Sequence, residues 1–256
     1  CDWSSDVCSS DLFFEGAIRR WVFPQLAGPL LLIRDPIAMY IIFLAFRYRL
    51  LKWNLYLFII LIISFISFYT TIYFGHGNIF IALYGLRIFL IHFPLLFIMQ
   101  NVFDKQHIQR IAFWIVVLTI PMLVLTIIQF YSPQSAWINK GLGDSAEGAG
   151  FVGAKGFFRP PGTFSFTNGL VLFFSFASVF VFCGLTNQLK IPRWILIPAV
   201  LSILLSIPFS ISRTLLFTVG MTFIFYLLTI IKNSILFWRL LLLSIFSTIL
   251  FLYVSK

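Results

Sequence analysis

Charged side chains are scarce in this 256-residue chain: they make up only 10% of it, against roughly 25% of a soluble globular protein. Hydrophobic residues make up 61%, which is more than the interior of a water-soluble fold of this size can bury. Asp, Glu, Lys and Arg are absent from five long stretches, at 53–86, 111–139, 160–189, 194–212 and 214–231. Because about 18 apolar residues in a row can cross a bilayer, the sequence predicts a membrane protein with several spans.

The alternating pattern of a transmembrane barrel is also missing. Barrel strands place a polar side chain at every second position, whereas 57–63 is apolar throughout. We therefore predict an all-α fold, a polytopic transmembrane helical bundle. Apolar runs and loop charges place about eight spans, at 29–46, 53–74, 79–99, 109–131, 164–185, 193–211, 214–231 and 236–254.

Cysteine is rare, and two of the three cysteines fall in residues 1–12. That segment is polar and acidic, and it stops abruptly where the apolar sequence begins at Phe13. It resembles a sequencing adapter translated in frame, so we expect residues 1–12 to be an artefact and the natural protein to start upstream. The remainder, 13–256, is predicted to be a single transmembrane domain. Its lone Cys183 lies within an apolar run, which predicts a packing role and no disulfide.

Basic residues are distributed unevenly between alternate loops. Nine of them fall in four short loops, which predicts that these loops are cytoplasmic. The long loop 132–163 then lies outside, in the periplasm if the host is a Gram-negative bacterium. The basic balance is explained by membrane orientation and by anionic membrane lipids, so no nucleic acid partner is predicted.

Several arginines contradict this distribution, because they fall on the predicted outer side or inside a span. Such cations usually face a cavity, a partner or a ligand. Arg34 and Asp35 are adjacent, so a neutral interfacial pair without a ligand is an equal alternative. Arg87 lies within the third span with no acidic residue near it in sequence, and His92 is more consistent with packing or hydrogen bonding than with catalysis. The set comprises Arg19, Arg20, Arg34, Arg87 and Arg213.

Two of these arginines have a simpler interpretation. Arg19 and Arg20 precede Trp21, so the three side chains are also typical of an interfacial anchor. Both interpretations, an anchor and a functional site, remain open from the sequence.

The long outer loop contains the most distinctive local sequence. Seven glycines between 141 and 162 argue against a helix and for a loop whose backbone can approach a ligand. Its last part, 159–164, reads RPPGTF and leads to Asn168. No Gly-Lys-Ser/Thr follows, which excludes a nucleotide-binding P-loop. A rigid helix start explains this segment except for Arg159.

Three segments together resemble a known family. These are 15–21, which reads EGAIRRW, the 159–164 segment with Asn168, and 210–213, which reads SISR. In this order they resemble the O-antigen ligase and O-antigen polymerase superfamily of bacterial membrane proteins, over most of 13–235. The resemblance implies a C-type glycosyltransferase in the bacterial inner membrane, with the O-antigen ligase domain starting at about 193 and running to 256. It implies an undecaprenyl-diphosphate-linked glycan as donor and a lipid or glycan as acceptor.

The resemblance also assigns roles to individual residues. Arg213 would contact the donor diphosphate, with Arg159 next and Arg87 and Arg34 as further candidates. Asn168, like the two arginines before Trp21, is a possible interfacial or site residue. No metal and no cofactor are predicted. In the family a histidine in a later outer loop acts on the acceptor, and no histidine here matches it, so the catalytic residue is unknown and we expect a chain truncated at both ends.

Two other classes of function remain open. A lipid-linked oligosaccharide flippase or other transporter would also place arginines in the membrane to hold a diphosphate. A non-catalytic membrane assembly protein is the third possibility. The paired repeats typical of many transporters are not visible between 29–131 and 164–254.

Overall fold

The computed structural model describes residues 16–23, 25, 27–51, 54–75, 77–141, 151–153, 156–186 and 188–230, without the side chains of 27–34, 88 and 151. The predicted span at 236–254 and the expected artefact at 1–12 lie outside the described residues.

The described chain is mainly helical. It begins with a π-helical turn, Ile18–Val22, and its α-helices are α1 (Ala27–Arg47), α2 (Leu55–Tyr73), α3 (Ile79–Arg87), α4 (Phe93–Val102), α5 (Lys105–Tyr131), α6 (Thr167–Leu185), α7 (Arg193–Ser210) and α8 (Arg213–Ile230). A second π-helical turn, Ile88–His92, joins α3 to α4 into one continuous span. A short antiparallel pair, β1 (Phe151–Val152) and β2 (Phe158–Arg159), lies in the long loop.

Six helical segments among the described residues are long and apolar enough to cross a membrane. They are Leu55–Tyr73, Ile79–Val102, Lys105–Tyr131, Thr167–Leu185, Arg193–Ser210 and Arg213–Ile230. Each coincides with a predicted span to within a few residues, because the length of an uncharged apolar run determines how much chain the hydrocarbon core accepts. The prediction of a helical, multi-span membrane protein is thus confirmed. Helix α1 covers the predicted 29–46 span but is not among the six.

The helices divide into two compact units. One contains Leu26–Ile108, and the other contains Cys1–Gln25 together with Gln109–Lys256. The prediction of a single domain over 13–256 stays a prediction, because the division describes packing and not independent folding.

In the second unit, α5, α6, α7 and α8 bury a continuous apolar core. Its fully buried members include Val116, Leu170, Phe174 and Leu215.

Hydroxyl groups connect α6 and α8 within this core. Ser175 Oγ lies 2.6 Å from Thr218 Oγ1, and Ser178 Oγ lies 3.0 Å from Thr222 Oγ1. Small hydroxyl residues allow close helix contact and supply interhelical hydrogen bonds where lipid offers no alternative partner. They therefore fix the register of α8, the helix that begins with Arg213.

Candidate functional site

Arg20 is completely buried, although it was predicted as an interfacial or site residue. Its Nε donates to Lys140 O at 2.7 Å and its Nη2 to Ile138 O at 3.2 Å. Its Nη1 donates to Gly162 O at 2.8 Å and to Phe164 O at 3.2 Å. The guanidinium therefore joins the N-terminal turn to both ends of the long loop.

No carboxylate among the described residues pairs with Arg20, so its charge is stabilised by the four carbonyl dipoles and by the ring of Trp21, whose centre lies 5.3 Å from the guanidinium carbon. Burial lowers the pKa of Arg20 from its ordinary value to about 10 because desolvation disfavours the charged form. That pKa lies well above neutral pH, so the side chain remains a cation. Backbone carbonyl oxygens accept the hydrogen bonds from its N–H groups, so the role of Arg20 in this cluster is structural.

Two amide side chains complete this polar cluster. Gln129, near the end of α5, donates to Ile138 O at 3.1 Å and to Gly162 O at 2.9 Å, and accepts from Gly162 N at 2.8 Å. Asn139 donates to Gln129 O and to Ser132 O, each at 3.0 Å. We call Arg20, Gln129 and Asn139 the Arg20 cluster. The sequence signal for this cluster is a pair of amide side chains within an otherwise apolar run, and our sequence analysis missed it.

The segment before Arg20 lies directly against the 162–165 backbone. A Cβ atom at Gly16 would collide with the carbonyl oxygen of Thr163, so only glycine fits there. Arg19 is also buried, and its Nη1 donates to Ser165 Oγ at 3.3 Å. Two segments of the family resemblance, 15–21 and 159–164, are therefore in contact.

The third segment, 210–213, forms a tight turn between α7 and α8. Ile211 adopts a left-handed conformation with φ 48° and ψ 34°, which is unusual for a β-branched residue. Ser212 Oγ accepts from Leu215 N at 3.3 Å and so caps α8. Arg213, the first residue of α8, is exposed and makes no hydrogen bond or ion pair with any described residue.

Arg159 lies beside this turn. It is the last residue of β2, and its backbone is opposite Phe151 in the hairpin. A Cβ atom at Gly153 would lie 3.2 Å from Ile211 Cδ1 and 3.3 Å from Arg159 Cγ, which shows that both side chains reach the same point. Arg159 is exposed and has no polar partner in the part of the chain that the structure describes.

Asn168 is exposed on the first turn of α6, where it makes no hydrogen bond to another described residue. Its side chain is accessible to a ligand.

Arg87 is in the unit formed by Leu26–Ile108, and it is paired. Its Nη1 lies 2.7 Å from Asp35 Oδ2, with both side chains largely buried, and its guanidinium lies 4.2 Å from the ring centre of Tyr84. The adjacency of Arg34 in the sequence had predicted Arg34 as the partner of Asp35. Arg34 lies in α1, and its side chain is outside the described part of the structure.

The π-helical turn brings His92 to the same carboxylate. In a regular α-helix a residue five positions after Arg87 points well away from it, whereas a π-helical turn nearly aligns such positions. His92 Nε2 lies 3.8 Å from Asp35 Oδ1. Three buried atoms of this group, Asp35 Oδ1, Arg87 Nε and His92 Nδ1, have no hydrogen-bond partner among the described residues.

A metal site and a diphosphate cavity elsewhere in the described chain do not fit the geometry. Among the described residues, no three His, Cys, Asp or Glu side chains are grouped closely enough to hold a metal ion. A cavity between α6 and α8 is lined by Cys183, Thr222 and Tyr226 without a charged residue, which does not suit a diphosphate.

The fold defines a multi-pass helical membrane protein, with six segments able to span. Comparison with protein-family models, with curated proteins and with solved structures finds no match to this chain.

Proposed function

We propose that this chain is part of a membrane glycosyltransferase of the O-antigen ligase and O-antigen polymerase type, with eight spans and a C-type architecture. It transfers or polymerises a glycan carried on undecaprenyl diphosphate at the outer face of the bacterial inner membrane, onto a lipid or glycan acceptor. The observation that carries the proposal is a pair of exposed arginines without a polar partner among the described residues, Arg159 and the Arg213 that follows the Ile211 turn.

The position of Arg213 is unfavourable unless an anion is present. A cation at a helix N-terminus opposes the helix dipole, and a cation on the outer side opposes the usual distribution of basic residues. The backbone strain at Ile211 adds a further cost. A diphosphate compensates the two electrostatic costs, because it accepts charge-assisted hydrogen bonds from arginine and carries the charge that develops as the lipid diphosphate departs.

Replacing Arg213 tests the enzyme directly. Arg213→Lys keeps the charge but loses the planar fork that holds two phosphate oxygens, so we expect glycan transfer to fall by about tenfold. Arg213→Ala removes both and is expected to lower transfer by roughly 100-fold or more. The measurement is transfer of labelled glycan by the complete protein, of which this chain is a part, in cells that lack their own copy of the gene, at matched protein levels.

Arg193 supplies the matched control. It is exposed and is the first residue of α7, just as Arg213 is the first residue of α8, but it lies in a loop predicted to be cytoplasmic. Arg193→Ala should leave transfer near the wild-type rate. Wild-type transfer by a well-expressed Arg213→Ala protein would remove Arg213 from the donor site.

Orientation is tested by cysteine labelling in a cysteine-free background. Gln106 lies in the first turn of α5, and Ser135 lies just beyond its end; both are exposed. The 27 residues of α5 are long enough to cross the bilayer. An impermeant thiol reagent should label Ser135→Cys on intact spheroplasts and should reach Gln106→Cys only after permeabilisation. The reverse pattern would place Arg159 and Arg213 on the cytoplasmic side, where the proposed reaction does not occur.

A transporter remains the second candidate because the group of Asp35, Arg87 and His92 lies within apolar helices. Ionisable side chains at such positions often mark a transport pathway. Transfer of glycan to an acceptor by purified protein in detergent requires chemistry and no translocation. Glycan transfer in detergent supports the enzyme, whereas donor movement across proteoliposomes without transfer supports the transporter.

A further inference from the structure

Four aromatic side chains form a connected surface beside Arg159 and the turn that precedes Arg213. Phe157 stacks on Phe130 with ring centres 5.0 Å apart and 12° between the planes. Phe209 meets Phe130 edge to face at 5.4 Å and Tyr131 at 6.1 Å. We call Phe130, Tyr131, Phe157 and Phe209 the aromatic platform. It joins the end of α5, the end of α7 and the hairpin of the long loop.

The platform is accessible and lies close to Arg159. Tyr131 is 72% exposed and Phe157 is 47% exposed. Phe157 immediately precedes β2, and its carbonyl oxygen accepts from Gly153 N at 2.7 Å, which continues the register of the hairpin. Alternation along the chain therefore places its side chain on the same face as that of Arg159. Phe209 is two residues before Ile211, whose side chain reaches Gly153 together with that of Arg159. Aromatic faces and cations are therefore side by side.

We infer that the aromatic platform binds the sugar ring that is attached directly to the donor diphosphate. This inference rests on the proposed function, and it adds a sugar subsite to it. The faces of aromatic rings carry partial negative charge, and a pyranose ring presents a face of weakly positive C–H groups. The phosphate on the anomeric carbon then lies within a few bonds of the stacked ring, where Arg159 and the Arg213 turn supply cations. An apolar lipid chain would need the aromatic faces but not the adjacent charges.

Two lipid probes distinguish binding of the sugar from binding of the diphosphate. We would measure binding of undecaprenyl diphosphate and of undecaprenyl-diphosphate N-acetylglucosamine to the full chain in nanodiscs. Phe157→Leu keeps an apolar side chain but removes the ring face. It is expected to weaken binding of the sugar-bearing probe about fivefold and to leave the Kd of the sugar-free probe unchanged. Phe157→Tyr retains the ring and should bind both probes as the wild type does.

Phe176 provides the matched control. It is an exposed phenylalanine paired with Phe180 at 4.8 Å on α6, outside the platform. Phe176→Leu should change neither Kd. Equal weakening of both probes by Phe157→Leu would overturn the inference in favour of a contact with the lipid chain. No change with either probe would overturn it in favour of a simple aromatic belt at the membrane interface.

The same two probes test the diphosphate site of the proposed function separately from the sugar subsite. Arg213→Ala should weaken both probes, since both carry the diphosphate. If it weakens neither, the diphosphate site is wrong. The sugar subsite is judged independently, from the ratio of the two dissociation constants in Phe157→Leu.

Discussion

Replacing Arg20 by methionine is expected to break the contact between the N-terminal turn and the long loop and so to destabilise the fold. Methionine fills similar space but donates no hydrogen bond. The carbonyl oxygens of Lys140 and Phe164 would then lose the hydrogen bonds that Arg20 donates to them. The carbonyl oxygens of Ile138 and Gly162 would keep the hydrogen bonds that Gln129 donates. Hydrogen bonds donated by a charged group contribute about 1.5–3 kcal/mol each, so losing the two to Lys140 and Phe164 is expected to lower the free energy of unfolding by roughly 3–6 kcal/mol.

The loss should appear as a lower midpoint of thermal unfolding in nanodiscs and as faster amide exchange over 162–165. Arg20→Lys should be intermediate, because an ammonium keeps the charge but cannot reach carbonyls in four directions. Arg110, which is exposed on α5, is the control: Arg110→Met should change stability by less than about 0.5 kcal/mol. Wild-type stability and exchange in Arg20→Met would show that Arg20 does not hold the loop.

This prediction also separates a structural role from a functional one. The Arg20 cluster supports the segment that leads into β2 and α6, so Arg20→Met should also impair glycan transfer. Transfer by the Arg20 variant should recover at low temperature if the loop refolds, whereas Arg213→Ala should stay inactive at every temperature because the guanidinium itself is missing.

The spans were predictable because each depends on a local property, the length of an uncharged apolar run. The start of α8 was predictable for a similar reason, since the SISR segment interrupts two such runs. The left-handed conformation of Ile211 was not predictable, because nothing in the intrinsic preference of isoleucine favours it. It results from two helices that are joined by only two residues, Ile211 and Ser212.

The partners of the arginines could not be predicted from the sequence for a different reason. Arg20 bonds to carbonyls 118 to 144 residues away, and backbone carbonyls carry no residue-specific signal. His92 reaches Asp35 only because a π-helical turn changes the angular spacing from Arg87. The aromatic platform likewise depends on how the hairpin folds onto the ends of α5 and α7. What the sequence did indicate was which arginines needed an explanation.

Replacing only one partner of the pair of Asp35 and Arg87 is expected to destabilise the fold strongly. Replacing both partners by apolar residues is expected to change its stability little. Asp35→Leu leaves Arg87 as an uncompensated cation within an apolar helix, and Arg87→Met leaves the carboxylate without its closest ionic partner. Loss of one partner of a buried ion pair costs about 3–5 kcal/mol, whereas replacing both partners by apolar residues is often neutral. The double variant Asp35→Leu/Arg87→Met should therefore unfold near the wild-type temperature in nanodiscs, while each single variant unfolds well below it.

The same cycle decides which arginine is the partner of Asp35. The adjacency of Arg34 in the sequence predicts that Asp35→Leu/Arg34→Met is the tolerated double variant, whereas the 2.7 Å contact with Arg87 predicts that it is as unstable as Asp35→Leu alone. Full stability of Arg87→Met would show that the ion pair contributes nothing to the fold.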